Sequence, residues 1–108
     1  MKFFGEKIRE LRENQNLPLR KVAAYLDIDT SILSKIERGE RTVSSDLISK
    51  FSEFFGLDEK QLNTEYLGEE VAKKIYESND IEQIFKVAEQ KAQYLKSKAL
   101  KQGKIEFK

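Results

Sequence analysis

The stretch PLRKVAAYLDIDTSILSKIERG, residues 18–39, decides the fold. Pro18 opens it in a helix's first turn, where a missing N–H costs nothing. Val22, Ala23 and Leu26 follow at the spacing of one buried helical face. The spacing predicts a helix over 18–26, a turn at Asp27-Ile28-Asp29, and a second helix over 30–38 that points Leu33 and Ile36 inward. Asp29 can cap that second helix. Gly39, suited to a left-handed position after the last turn, ends it. This stretch therefore reads as two short helices joined by about three residues.

Outward from this pair, Phe4, Ile8 and Leu11 fall at i, i+4, i+7 and predict a helix over 3–14, broken by Asn14, Asn16 and Pro18. On the other side Ser44 caps a helix reaching Phe55, with Asp46 in its first turn and an apolar face of Leu47, Ile48, Phe51, Phe54 and Phe55. Gly56-Leu57 reads as a Schellman ending. Residues 58–78 are helical again, either continuous or divided near Gly68. A last helix over 80–102 sets Ile81, Ile84 or Phe85, Ala88, Ala92, Leu95 and Ala99 on one stripe at alternating spacings of three and four. One proline and five glycines in 108 residues fit helices joined by short turns, so the expected class is all-α with no sheet. The expected organisation is a compact domain over 1–57 and a helical extension over 58–108.

Composition narrows the chemistry. The chain has no Cys and no His, which removes disulfides, thiolate nucleophiles, imidazole acid–base work and the usual zinc ligand sets. The acids read as surface or capping residues, and there is no Gly-rich phosphate cradle, so no enzyme, metal or cofactor is expected. No run approaches the roughly 18 apolar residues that span a bilayer, and the N-terminus is too short for a secretory signal; a cytoplasmic protein without membrane contact is expected. The net charge of +1 conceals three blocks: +2 over residues 1–41, −5 over 42–70 and +4 over 71–108. Such segregation permits a basic face without a basic protein.

Two short helices joined by a tight turn let one helix brace another in the DNA major groove, which is wide enough to admit it. The residues carry a more specific pattern. Ile8-Arg9-Glu10-Leu11-Arg12, the core positions Leu17, Val22, Ala23, Leu26 and Ile28, and the ending Ser34-Lys35-Ile36-Glu37-Arg38-Gly39-Glu40-Arg41 together resemble the Cro/cI-type (Xre) repressor family over residues 8–57. The resemblance implies a lambda-repressor-like helix-turn-helix bundle with a C-terminal helical extension. It implies that the helix over 30–38 enters the major groove, with Thr30, Ser31, Ser34 and Lys35 at base edges. It places Arg20, Lys21, Arg38, Arg41, Thr42 and Ser44 at phosphates. It also implies a partly buried, structural Arg12–Glu37 ion pair.

Three departures from the family's pattern stand out. Leu19 occupies a position usually held by Gln, a polar contact that an aliphatic side chain cannot make. Asp27 replaces the turn glycine, at some conformational cost. The recognition face has no Arg, Asn or Gln, leaving Lys35 as its only strong discriminator.

The resemblance implies a sequence-specific transcriptional regulator, a repressor that binds a palindromic operator as a homodimer. The alternative is a protein-interaction module with a degenerate helix-turn-helix. The stripe Ile81, Ile84, Phe85, Ala88, Ala92, Leu95 and Ala99 is a candidate dimer seam, and it could equally pack on Val71, Ile75 and Phe51 of its own chain. From Lys91 onward six lysines accompany one glutamate, ending in a basic tail that reads as solubilising or as a non-specific phosphate contact. Nothing in the residues identifies a small-molecule effector.

Overall fold

The computed structural model describes residues 1–101. Their regular structure is entirely helical: α1 (Phe4–Asn14), α2 (Leu19–Leu26), α3 (Thr30–Glu37), α4 (Ser45–Phe55), α5 (Glu59–Ile75) and α6 (Ile81–Lys101). Gln102 and the tail segment Lys104–Lys108 lie outside the described residues.

Local chemistry sets several helix ends. The Leu47 N–H donates to Ser44 Oγ at 3.2 Å, and that of Gln61 to Asp58 Oδ1 at 2.9 Å, so both side chains cap their helices. Gly39 and Gly56 adopt φ of 74° and 67°. The Glu40 N–H then reaches the Lys35 carbonyl and that of Leu57 the Ser52 carbonyl, both at 2.8 Å. These are the backbone bonds of a Schellman ending.

Two expectations are corrected at this level. Pro18 is the N-cap of α2 rather than a residue of its first turn. Asp29 occupies the N-cap of α3, but its side chain accepts no capping hydrogen bond. The reason lies in the backbone: the Ile32 and Leu33 N–H groups both donate to the Asp29 carbonyl, at 3.0 and 3.1 Å. The helix expected over 58–78 is the shorter α5, Glu59–Ile75, which runs unbroken through Gly68.

The chain forms two compact units, Met1–Val71 and the segment from Ala72 onward. The first holds the core: Phe4 and Ile8 from α1, Val22, Ala23 and Leu26 from α2, Leu33 and Ile36 from α3, Ile48 and Phe51 from α4, with Val43 from the intervening loop. Leu62 and Tyr66 of α5 enter the same core, so this unit extends beyond the division expected after Leu57. Phe4 packs edge-on against both Phe51 and Tyr66, with ring centroids 5.4 and 5.2 Å apart. The chain crosses itself closely where α1 meets α3. A Cβ on Gly5 would stand 2.4 Å from the Ile36 carbonyl oxygen and 2.6 Å from that of Glu37. Only glycine allows this approach.

In the second unit α6 leaves most of its stripe uncovered. Ile81, Phe85, Ala88, Ala92 and Leu95 are exposed, Ile84 is half-buried and Ala99 is buried. Of the own-chain residues considered for covering the stripe, Phe51 is fully buried in the first unit, Val71 is exposed and Ile75 is half-buried. No helix among the described residues is long and apolar enough to cross a membrane.

Candidate nucleic-acid interface

The exposed side of α3 is built by its buried side. Leu33 and Ile36 enter the core, and Ile32 packs partly against it. At a helical period of 3.6, this inward set turns Thr30, Ser31 and Lys35 to solvent, where all three are exposed. Ser34 is half-buried and accepts a hydrogen bond from Arg38 Nη1. The structure thus gathers the four predicted base-reading residues on one eight-residue helix, with Ser34 already partnered.

The α2–α3 turn holds α3 against its brace. Asp27 adopts φ 58° and ψ 46°, the left-handed conformation that the missing turn glycine would otherwise supply. The Ile28 N–H donates to the Ala23 carbonyl at 3.0 Å, closing the turn. Ala23 is buried in the core, while Leu19, the position at which the family pattern carries Gln, packs partly against it. The Leu19 departure is therefore a packing residue.

Beneath α3 an ion pair joins it to α1. Arg12 Nε donates to Glu37 Oε2 at 2.8 Å and Arg12 Nη2 to Glu37 Oε1 at 3.0 Å, a two-pronged match of guanidinium and carboxylate. Arg12 Nη1 donates to the Leu17 carbonyl at 2.9 Å. The two side chains retain only 12% and 5% of their exposure. The Glu37 hydrogen bond, followed by its charge, raises the Arg12 pKa against the opposing effect of burial.

The cations around α3 differ in their freedom. Arg20, Lys21, Lys35 and Arg41 are exposed and form no ion pair among the described residues. Arg38 is engaged: its Nε donates to Glu40 Oε2 at 3.0 Å and its Nη2 to Oε1 at 3.3 Å. The hydrogen bond from Arg38, then its charge, holds the Glu40 carboxyl below the usual carboxylate range, with a smaller contribution from Lys35. Arg41, Thr42 and Ser44 line one open groove beside Glu40, so three of the six predicted phosphate ligands share a surface. Ser44 spends its acceptor on the α4 cap and keeps its O–H to donate.

Two contributors escaped the residue-level reading. Glu40 lies two residues from Arg38 across Gly39, a spacing that no helical rule pairs. Tyr66 of α5 accepts the Val43 N–H at 2.7 Å and so anchors the loop that carries Arg41, Thr42 and Ser44. A tyrosine in an apolar stripe, with a polar tip that needs a partner, was the available signal for the second. Among the described residues no cluster of three or more Asp, Glu, Cys or His is placed to hold a metal ion.

Comparison with known proteins agrees with this geometry. The chain is 40% identical over 60 residues to the control protein C.BamHI of Bacillus amyloliquefaciens, an alignment covering 55% of this chain and 74% of that protein. The restriction-modification controller protein C.AhdI of Aeromonas hydrophila superposes with a TM-score of 0.50 at 32% identity, covering 55% of this chain and 89% of that one. The clp gene regulator ClgR of Corynebacterium glutamicum, at 22% identity, shares the fold over 87% of each chain with a TM-score of 0.50. Residues 8–62, half of the chain, match the helix-turn-helix family model. The chain belongs to the Cro/cI-type helix-turn-helix family of DNA-binding transcriptional regulators.

Proposed function

We propose that the chain is a repressor that reads a palindromic operator as a homodimer, with α3 in the major groove of each half-site. The observation that carries this reading is the outward face of α3, where Thr30, Ser31 and Lys35 are exposed, together with the exposed cations Arg20 and Lys21 of α2 and Arg41 of the loop after α3, unpaired among the described residues. Lys35 reads a base, donating to guanine O6 or N7, while the hydroxyls of Thr30, Ser31 and Ser34 adapt to neighbouring bases. Arg20, Lys21, Arg41, Thr42 and Ser44 grip phosphates and fix the register. Arg38 joins them when phosphate displaces Glu40. Two copies, joined along the exposed α6 stripe, supply one recognition helix to each of two half-sites, which on DNA lie about 34 Å apart, one helical turn. Likeness to two controller proteins, one of them a restriction-modification controller, supports a role in controlling such a system.

Selection of bound duplexes from a random pool, followed by titration of the winner at several salt concentrations, tests the reading. A twofold-symmetric consensus and a steep salt dependence are expected. Lys35→Ala should relax the preference at one base pair per half-site by about 1–3 kcal/mol, whereas Arg41→Ala should weaken all duplexes alike. Failure to bind duplex in a salt-dependent way would leave the fold as a protein-interaction module.

A further inference from the structure

We infer that α6 pairs with α6 of a second copy in antiparallel orientation, about a twofold axis near Gln90. This rests on the dimeric reading above and adds the direction of pairing. Phe85, Ala88, Ala92 and Leu95 follow each other at spacings of three, four and three, the pattern of a two-helix seam. Phe85 and Leu95 keep 51% and 47% of their exposure, and both alanines are exposed, so the seam is open; Ala99 is already buried and stands outside it. In the antiparallel register Phe85 meets Leu95 of the partner subunit at each end, and Ala88 meets Ala92 of the partner subunit on either side of the axis. Alanine layers at the centre let the helix axes approach to about 8 Å, and the bulky residues close the ends.

Charge chooses the direction. Residues 80–90 carry a net charge of −2, and residues 91–101 carry +4 without one acid. Antiparallel pairing sets Glu82 beside Lys96 of the partner subunit on both flanks and opposes the two helix dipoles. Glu89 and Lys91 then face their own copies near the axis. Parallel pairing instead sets Lys91 beside Lys96 of the partner subunit on both flanks, with no opposite-charge pair to offset it. It also stacks the two +4 halves side by side.

The chain has no cysteine, so introduced thiols report cleanly. In the full-length Phe85→Cys, Leu95→Cys double variant the two thiols lie about 15 Å apart along one helix, too far for a bond within a chain. Mild oxidation and peptide mapping should yield disulfides between Cys introduced at 85 and Cys introduced at 95 of different copies. Disulfides joining 85 to 85 and 95 to 95 would overturn the antiparallel direction. Sedimentation of the unsubstituted chain separates the remaining outcomes. A dimer without any such cross-link overturns α6 as the surface while the dimeric reading stands, and a monomer at all concentrations removes the dimeric reading as well.

Discussion

The Arg12–Glu37 pair is where α1 and α3 are locked, and its energetics can be worked from the geometry. Glu37→Ala removes both acceptors at 2.8 and 3.0 Å and leaves a guanidinium that is 12% exposed with the Leu17 carbonyl as its remaining partner. Stranding one member of a buried pair costs about 3–5 kcal/mol. With a urea m-value of about 1 kcal/mol/M for a domain of this size, the midpoint should fall by roughly 3 M or more. Titrations in sucrose keep the variant within a measurable range. Arg12→Ala should cost a similar amount, and the double alanine variant less than the sum of the two, with a coupling of roughly 2–3 kcal/mol. The apolar replacement Arg12→Met, Glu37→Leu should lie within about 1 kcal/mol of the unsubstituted chain, because a well-packed apolar pair avoids the desolvation that the ions incur. Single-variant costs below 1 kcal/mol, or an additive cycle, would refute the view that this pair is held in a low-dielectric site.

Three further outcomes follow from contacts elsewhere in the fold. Glu40→Gln should release Arg38 to phosphate, strengthening non-specific duplex binding and steepening the plot of log affinity against log salt by about one unit, as read by fluorescence anisotropy; an unchanged slope would mean that the Arg38–Glu40 contact does not compete with DNA. Gly5→Ala should destabilise by about 1–3 kcal/mol in chemical denaturation, since its methyl group meets backbone carbonyls of α3 rather than yielding side chains. Tyr66→Phe should cost about 1–3 kcal/mol by leaving the Val43 N–H without its acceptor, and should accelerate amide exchange at Val43; unaltered exchange there would show that Tyr66 does not hold the loop.

What could be read from residues was whatever chemistry is local. Ser44, Gly39 and Gly56 act within one turn of themselves, so capping and left-handed endings emerged with their helices. The α2–α3 pair carried its own periodicity and its own turn. Gly5 was silent because the requirement it meets comes from carbonyls more than thirty residues away, on an element whose approach no local pattern encodes. Leu62 and Tyr66 belonged to a readable apolar stripe, but periodicity identifies a face without naming what that face covers. Asp29 had the right type at the right position, yet the backbone carbonyl of the same residue already served the N–H groups of the first turn. The free and engaged states of Arg41 and Arg38 were likewise invisible, because both are arginines at the end of one helix and only the folded turn brings Glu40 to the second.

The composition of the α3 face bears on why the proposed operator reading calls for two copies. In the proposed reading Lys35 is the side chain there suited to strong discrimination, worth about 1–3 kcal/mol at a base pair, and hydroxyls contribute less because they accept several partners. A regulator separates its operator from bulk DNA by about 4–10 kcal/mol. One such face falls short of that gap, and phosphate contacts cannot close it, since they strengthen binding to every sequence alike. Repeating the same face about a twofold axis doubles the base-dependent part without adding any new kind of contact. The geometry that sets the spacing of the two faces therefore matters as much to recognition as Lys35 itself. Altering the α6 seam should consequently weaken discrimination between operator and random duplex more than it weakens the binding of a single half-site.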